Sequence, residues 1–244
     1  MEVKESTPTL RCKNCMDVKS FSINHHDLCY IQQLHYLGLK YHSSLFPSLF
    51  RLKNGLVYPG IATTTFIGPK LLLVEVPESL ILSSIKALQT VDLSDVFSEP
   101  FYNEENTWQD RVLTTYLLYL YQSGDTSNVF YQMLEHMSKN IDICCFWSEQ
   151  ELDMFRDPTI KTTALKELEL FEKEWDSFSK IQARHSILQG GKITKESYKW
   201  ILIHVSSRCF GKQLDFTSFV PFCDFFNHHV SSVSYSTDTF TYNN

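Results

Sequence analysis

Between Ser207 and His228 the chain gathers residue types that can hold a polar ligand. They are Ser207-Arg208-Cys209-Phe210 at the end of a helical pattern, then Val220-Pro221, then Asp224-Phe225-Phe226-Asn227-His228. An arginine presents a rigid fork of N–H donors that matches a carboxylate. Asn-His after a proline-broken turn offers an amide and free backbone groups. Together they could supply what a small zwitterion needs: a cation for its carboxylate, acceptors for its ammonium, and backbone groups for a heteroaromatic edge. The plainer alternative is that Arg208 pairs locally and Asn227-His228 is an ordinary turn. Phe210 and Phe226 could wall a channel for an amine, because aromatic faces attract cations and exclude water, or could simply pack in the core.

A second group of chemically able residues stands near the amino terminus: Cys12-x-x-Cys15, His25, His26 and Cys29. Any four of the five, gathered together, could bind zinc tetrahedrally. No further C-x-x-C or H-x-x-x-H spacing follows, and Cys29 opens a helical pattern carrying Tyr30, Leu34 and Leu37. We expect no metal, and read these thiols as incidental to a tail. Cys144-Cys145 are poor disulfide partners because they are adjacent, and we expect buried apolar filler. His204, on the Arg208 side of its helix, is expected to be a hydrogen-bonded core histidine rather than a base.

The elements that must position these residues follow from apolar periodicity. Short strands are predicted at Leu49–Lys53, Val57–Thr63 and Leu71–Val76, the first two joined at Asn54-Gly55, a strong hairpin signal. From about Ser79 to Gly211 the spacing turns helical. Trp108, Val112, Tyr116, Leu117 and Leu120 share one face, and Leu165, Leu168, Phe171, Trp175 and Phe178 share the face of a longer helix that is otherwise Glu/Lys-rich. Ser148-x-x-Glu151 has the form of a capping box, so a helix starts there, and Asp157-Pro158 is expected to end it. A third helix is predicted from about Thr194 to Phe210, burying Tyr198, Ile201, Leu202, Val205 and Cys209. Beyond Gly211 we expect a strand to Val220, a short helical turn, and strand-like alternation from Val233 to Tyr242. Strands, a helical insertion and strands again predict an α+β protein whose sheet is built from both ends of the chain.

Composition narrows the function classes. The chain has 244 residues, 43% of them hydrophobic, enough for a substantial core. Eight glycines is about half the usual frequency, and neither G-x-G-x-x-G nor G-x-x-x-x-G-K-[ST] occurs, which removes the sequence case for a dinucleotide fold or a phosphate-binding loop. Lys+Arg 22 against Asp+Glu 28 gives a net charge of -6 with no basic block, so nucleic acid is not an expected partner. The charged first fifteen residues do not read as a signal peptide, and no apolar run reaches 18 residues. Seven unevenly placed cysteines suit reduced thiols. We therefore expect no membrane partner and an intracellular protein, cytoplasmic rather than nuclear.

The ordered series S-R-x-F, V-P and D-x-x-N-H resembles the SET-domain methyltransferases, in particular the subgroup typified by the Rubisco large-subunit lysine methyltransferase. Upstream, Tyr58-Pro59-Gly60-Ile61-Ala62-Thr63, Ile67-Gly68-Pro69 and Leu71 to Pro77 are similar to that family's G-x-G-[VL]-x-A strand, I-x-x-G-E turn and L-L-x-V-P. Trp147-Ser148-Glu149-Gln150-Glu151-Leu152 resembles its W-S-E-E-E-L. The likeness covers about Cys29 to Asn244. It implies a tail at 1–28 and a partial SET domain at 29–244, with a helical insertion at about 79–193.

The resemblance implies S-adenosyl-L-methionine as cofactor and a protein lysine as substrate. Arg208 would hold the methionine carboxylate, Asn227 the amino group and the His228 backbone the adenine. Asp224 and Gly60 would shape the pocket, and Phe210 and Phe226 would line the lysine channel. No metal is implied, and no catalytic residue is assigned. Two departures stand out. Tyr58 occupies the first glycine of G-x-G, where a side chain could crowd the cofactor. The family's Y-x-x-Y-G strand has no counterpart, since Tyr235 and Tyr242 are the only tyrosines after Asn227 and neither is followed by that glycine. The expectation is a truncated chain that transfers methyl groups poorly or not at all; the rival reading is a non-catalytic SET-like interaction module. Gly60 and Asn227 must lie together if the resemblance holds.

Overall fold

The computed structural model describes residues 18–23, 25–52, 55, 57–68, 71–104, 107–211 and 216–227, with side chains from Asp27 onward. The chain divides into two compact units, Met1–Ile81 with Val220–Ser236, and Leu82–Phe219 with Thr237–Asn244.

The first unit is built on strands. β1 (Val18–Ile23) is followed by α1 (His25–Tyr36), β2 (Lys40–Tyr41), β3 (Leu45–Leu52), β4 (Val57–Thr63) and β5 (Val74–Glu75). β1, β3 and β4 form an antiparallel sheet in that order, and β2 pairs with β5. The hairpin register between β3 and β4 sets Arg51 opposite Val57, Phe50 opposite Tyr58 and Ser48 opposite Gly60. Gly55, at φ +93, makes the turn, with its N–H donating to the Leu52 carbonyl at 3.0 Å. A positive φ there is available to glycine at little cost. α1 packs on β3 and buries Tyr30, Ile31 and Leu34.

The second unit is helical. It runs through β6 (Leu82–Ser83), α2 (Ser84–Leu88), α3 (Ser94–Phe97), α4 (Trp108–Ser123), α5 (Val129–His136), α6 (Glu149–Leu152), α7 (Pro158–Arg184), α8 (Lys195–Arg208) and β7 (Ser218–Phe219), which pairs with β6. α4 is its centre, with Val112, Leu113, Leu117 and Leu118 excluded from solvent and α2, α5 and α8 packed around it. Arg111, on α4, is buried. It donates to both oxygens of Glu174 on α7, to Glu104 at 2.7 Å and to the Phe101 carbonyl at 2.7 Å. Between α7 and α8 an aromatic seam joins Trp175 and Phe178 to Tyr198, the Phe178 and Tyr198 rings 4.6 Å apart.

Several sequence expectations change in detail. Asp157-Pro158 starts a helix instead of ending one: Asp157 accepts from the Thr159 N–H at 2.9 Å and Pro158 occupies the first turn of α7, where a missing N–H costs nothing. The α7 face that is buried is Ala164, Phe171, Phe178 and Ile181, so Leu165 is exposed and Leu168 and Trp175 only half-buried. The strand expected over Leu71–Val76 is reduced to Val74–Glu75, whose partner β2 is only two residues long. β1 and the start of α1 fall within 1–28, the segment read as a tail, because β3 offers β1 an antiparallel edge. The alternation expected at Val233–Tyr242 lies outside the described residues, as does Asn54.

Candidate cofactor site

In the strand unit, Gly60 sits on β4 with Tyr58 and, across the hairpin, Phe50 and Ser48 on the same face. Phe50 and Tyr58 stack, ring centroids 5.4 Å apart at 19°. Tyr58, which the sequence suggested would crowd a ligand, is thus engaged with Phe50. β4 is an outer strand of its sheet, so a side chain can reach its backbone. Asn227 does so, its Nδ2 donating to the Pro59 carbonyl at 3.1 Å. The amide lies so close to the strand that a Cβ on Gly60 would stand 2.3 Å from Asn227 Nδ2 and 3.0 Å from Phe50 Cε2. A side chain at position 60 would have to displace the Asn227 amide from the strand, so it is this close approach and not a special backbone angle that favours glycine there. With Nδ2 committed to Pro59, the remaining acceptor of the amide is Oδ1.

The segment leading to Asn227 is held by an unusual backbone. Phe222 has φ 70 and ψ −40, a region a bulky side chain rarely enters. Its fully buried ring packs 5.0 Å from Tyr41 and 5.6 Å from Phe226, and that packing retains the conformation. The short helical turn Cys223–Phe225 follows, as expected. Asp224 is half-buried in it, its N–H donating to the Val220 carbonyl at 3.3 Å. Burial and the Asp224 charge push the Cys223 thiol up to about 12. The same two causes, in the same order, raise the phenol of buried Tyr30 well above its usual range. Nothing in the sequence signalled Phe222, because no residue type marks a strained turn of this kind. The stack of Phe50 on Tyr58 was not within reach either, since a two-residue turn at Asn54-Gly55 would set Phe50 opposite Pro59, whereas the observed register sets it opposite Tyr58.

In the helical unit, Arg208 closes α8. Just beyond it, Phe210 and Ser218 exchange two backbone hydrogen bonds of 2.8 Å, and Gln109 accepts from the Thr217 N–H, so the ends of the 211–217 loop are pinned together. Phe210 and Phe226 are each half-buried, one in each unit. His204, one turn before Arg208, is buried and its Nε2 donates to the Ser138 carbonyl at 2.9 Å, which also accepts from Trp200 Nε1. Burial first, then the positive charges of Arg208 and Lys139, lower its pKa to about 4 against the pull of the Ser138 bond. It is the hydrogen-bonded core histidine that its place in the pattern suggested.

Of the sequence-derived site residues, the structure brings Gly60 and Asn227 into contact and places Asp224 and Phe226 in the three residues before Asn227. His228, Tyr235 and Tyr242 lie outside the described residues. So do Cys12, Cys15 and the side chains of His25 and His26; Cys29 is exposed on α1. Among the described residues, no three His, Cys, Asp or Glu side chains gather to hold a metal. Cys144 and Cys145 are half-buried on a cleft instead of filling the core. No helix among the described residues is long and apolar enough to cross a membrane.

No family model matches the chain, and no curated protein matches it. Solved structures do. The crystal structure of the SET domain of LSMT bound to lysine and AdoHcy superposes with a TM-score of 0.68 at 16% identity, covering 87% of this chain and 46% of that one. The same domain bound to MeLysine and AdoHcy gives 0.65 at 16% identity, covering 88% and 47%. Rubisco LSMT bound to AdoMet gives 0.61 at 17% identity, covering 83% and 44%. The chain therefore spans just under half the length of the structures it matches. Its α+β architecture, a strand unit interrupted by a helical one, is the SET-domain fold of those lysine methyltransferases.

Proposed function

We propose that this chain binds S-adenosyl-L-methionine and serves a protein-lysine N-methyltransferase. The observation that carries the reading is the seating of Asn227 on Gly60 and Pro59, a close backbone approach at the position where the resembled family has its cofactor strand. Neighbours of the same fold are bound to AdoMet or AdoHcy, and two to lysine or methyl-lysine, which supports the same choice of ligand and substrate.

The residues present suit the ligand's groups. Asn227 Oδ1 accepts from the ammonium while Nδ2 stays on Pro59. By the resemblance alone, Arg208 is assigned the carboxylate, in the bidentate manner that a guanidinium favours, and His228 the adenine. Asp224 and Gly60 shape the cradle. When bound, the cofactor supplies an electrophilic methyl on its sulfonium. The chain's own part is to align and to dry: by the resemblance, Phe210 and Phe226 are assigned to the substrate amine, which aromatic faces attract. That amine, with an ordinary pKa of about 10.4, must reach the site without its proton. Positioning of this kind is where the rate acceleration would come from, and no metal is needed.

Equilibrium dialysis with labelled AdoMet tests the proposal. One saturable equivalent, displaced by AdoHcy but not by ATP, is expected. Displacement by ATP, or uptake that does not saturate, would refute it.

A further inference from the structure

The helical unit carries a cleft of about 570 Å³ between α7, α8 and the turn at Cys144–Phe146. That volume is in the range of ligand pockets. Its wall is mainly apolar and includes Phe146, Phe171, Leu170 and Ile203. Leu170 is 49% exposed, although the outer face of α7 is otherwise Glu/Lys-rich. Into this wall are set three carboxylates, Asp110, Glu167 and Glu174, and no lysine or arginine is among the lining residues.

Glu174 is balanced from within, both its oxygens accepting from Arg111 and one also from the Tyr198 hydroxyl, whereas Asp110 and Glu167 make no ion pair with the described residues. Asp110 has its pKa raised by burial and then by the Glu174 charge, with a hydrogen bond to Thr217 acting the other way. Glu167 lies one helical turn from Thr163 on the exposed face of α7. Cations do sit at the rim: Lys199 Nζ lies 3.6 Å from the Phe146 ring centre, and Lys195 Nζ lies 5.8 Å from that of Phe171 while paired to Glu172. The rim rings thus already accept ammonium groups, and the interior is left acidic. A wholly apolar occupant would bury Asp110 and Glu167 without a cation partner, at a cost. A bare metal ion would need a tighter oxygen cluster than the described residues provide.

We propose that this cleft binds a peptide segment in which a lysine or arginine is flanked by apolar side chains. The cation meets Asp110 and Glu167, and the flanks lie on Leu170, Phe171 and Ile203. The inference deepens the protein-lysine reading by naming how a protein partner is held, and rests on that reading for its purpose; the binding itself requires no cofactor.

The test is fluorescence anisotropy of the labelled peptide Ala-Leu-Lys-Leu-Ala and its Glu-centred counterpart, up to millimolar protein, at low and at high salt. The Lys peptide should bind and weaken with salt, and the Glu peptide should not bind. Glu167→Lys should weaken the Lys peptide at least about tenfold, a change equivalent to one lost ion pair in a partly desolvated site. Thr163→Trp should fill the cleft and abolish binding. Both positions are exposed on a helix, and far-ultraviolet circular dichroism should show α7 intact. Equal binding of the two peptides, no binding by the unaltered chain, or indifference to both substitutions would overturn the proposal. AdoMet uptake by the same samples separates the two readings: peptide binding without AdoMet uptake would defeat the cofactor assignment alone, and AdoMet uptake without peptide binding would defeat the cleft alone.

Discussion

A methyl group at Gly60 would stand 2.3 Å from Asn227 Nδ2, inside any real contact distance, so Gly60→Ala must push the amide off Pro59. The atom displaced is the end of an exposed side chain that can swing away, so the loss should be small, about 0.5–1.5 kcal/mol for the hydrogen bond to Pro59. Gly68→Ala, whose added carbon would meet nothing nearer than 3.9 Å, should be close to neutral. Urea denaturation of the two variants checks this, and equal stabilities would show that Asn227 does not occupy the strand. His204 makes a second prediction. In the folded chain its pKa is about 4, against about 6.5 unfolded, so between those values the unfolded state binds more protons and stability rises with pH. Stability should be fully present above about pH 6.5 and fall by roughly 3 kcal/mol on going down to pH 4. His204→Gln, which can still donate to the Ser138 carbonyl, should flatten the dependence by that amount; an unchanged slope would place the titration elsewhere. At this scale the sequence was most informative where residue type and motif order coincide, as at Gly60 and Asn227. It was silent where a conformation decides, as at Phe222, whose positive φ is imposed by the packing of its ring against Tyr41 and Phe226.

Elements were legible where local signals agreed with burial. The Ser148 capping box and the Thr194 start of α8 followed directly, because caps are satisfied within a few residues, whereas α8 ends at Arg208, short of Phe210, and buries Trp200 and His204 in place of Leu202 and Cys209. Asp157-Pro158 was misread because the same dipeptide can stop one helix or start the next, and only the Thr159 N–H bond to Asp157 settles which. The outward rotation of Leu165 was hidden for a different reason: its spacing suited the apolar stripe, but Ala164 and Phe171 take the inner face. What locks α4 to α7 is Arg111, whose partners are 63 residues and 7 residues away and therefore invisible to periodicity. Arg111→Met should leave the Glu174 carboxylate half-buried and unpaired and cost about 3–5 kcal/mol. Adding Glu174→Gln should recover part of that loss. Chemical denaturation of the single and double variants would expose the contrary case, in which both are equally unstable or neither is affected.

At the scale of the whole molecule, the chain interleaves two units, with Val220–Ser236 returning to the strand unit after 138 residues of helical insertion, Leu82–Phe219. That return is what delivers Asn227 to β4, 168 residues from the carbonyl it bonds. Such a long-range contact is unreadable from periodicity, yet the ordered motifs required it, which is why family resemblance reached further than pattern. The cleft on α7 had no such guide: its carboxylates belong to different helices, and only folding sets Asp110 beside Glu174. The most direct test of the account is calorimetric titration of the 244-residue chain with S-adenosyl-L-methionine, beside Asn227→Ala and Arg208→Met variants shown to be folded. The account predicts one-site binding that weakens at least about tenfold in each variant, the loss of one charged or charge-assisted contact. Heat-silent titrations of the unaltered chain, confirmed by dialysis, or affinities that ignore both substitutions, would contradict it.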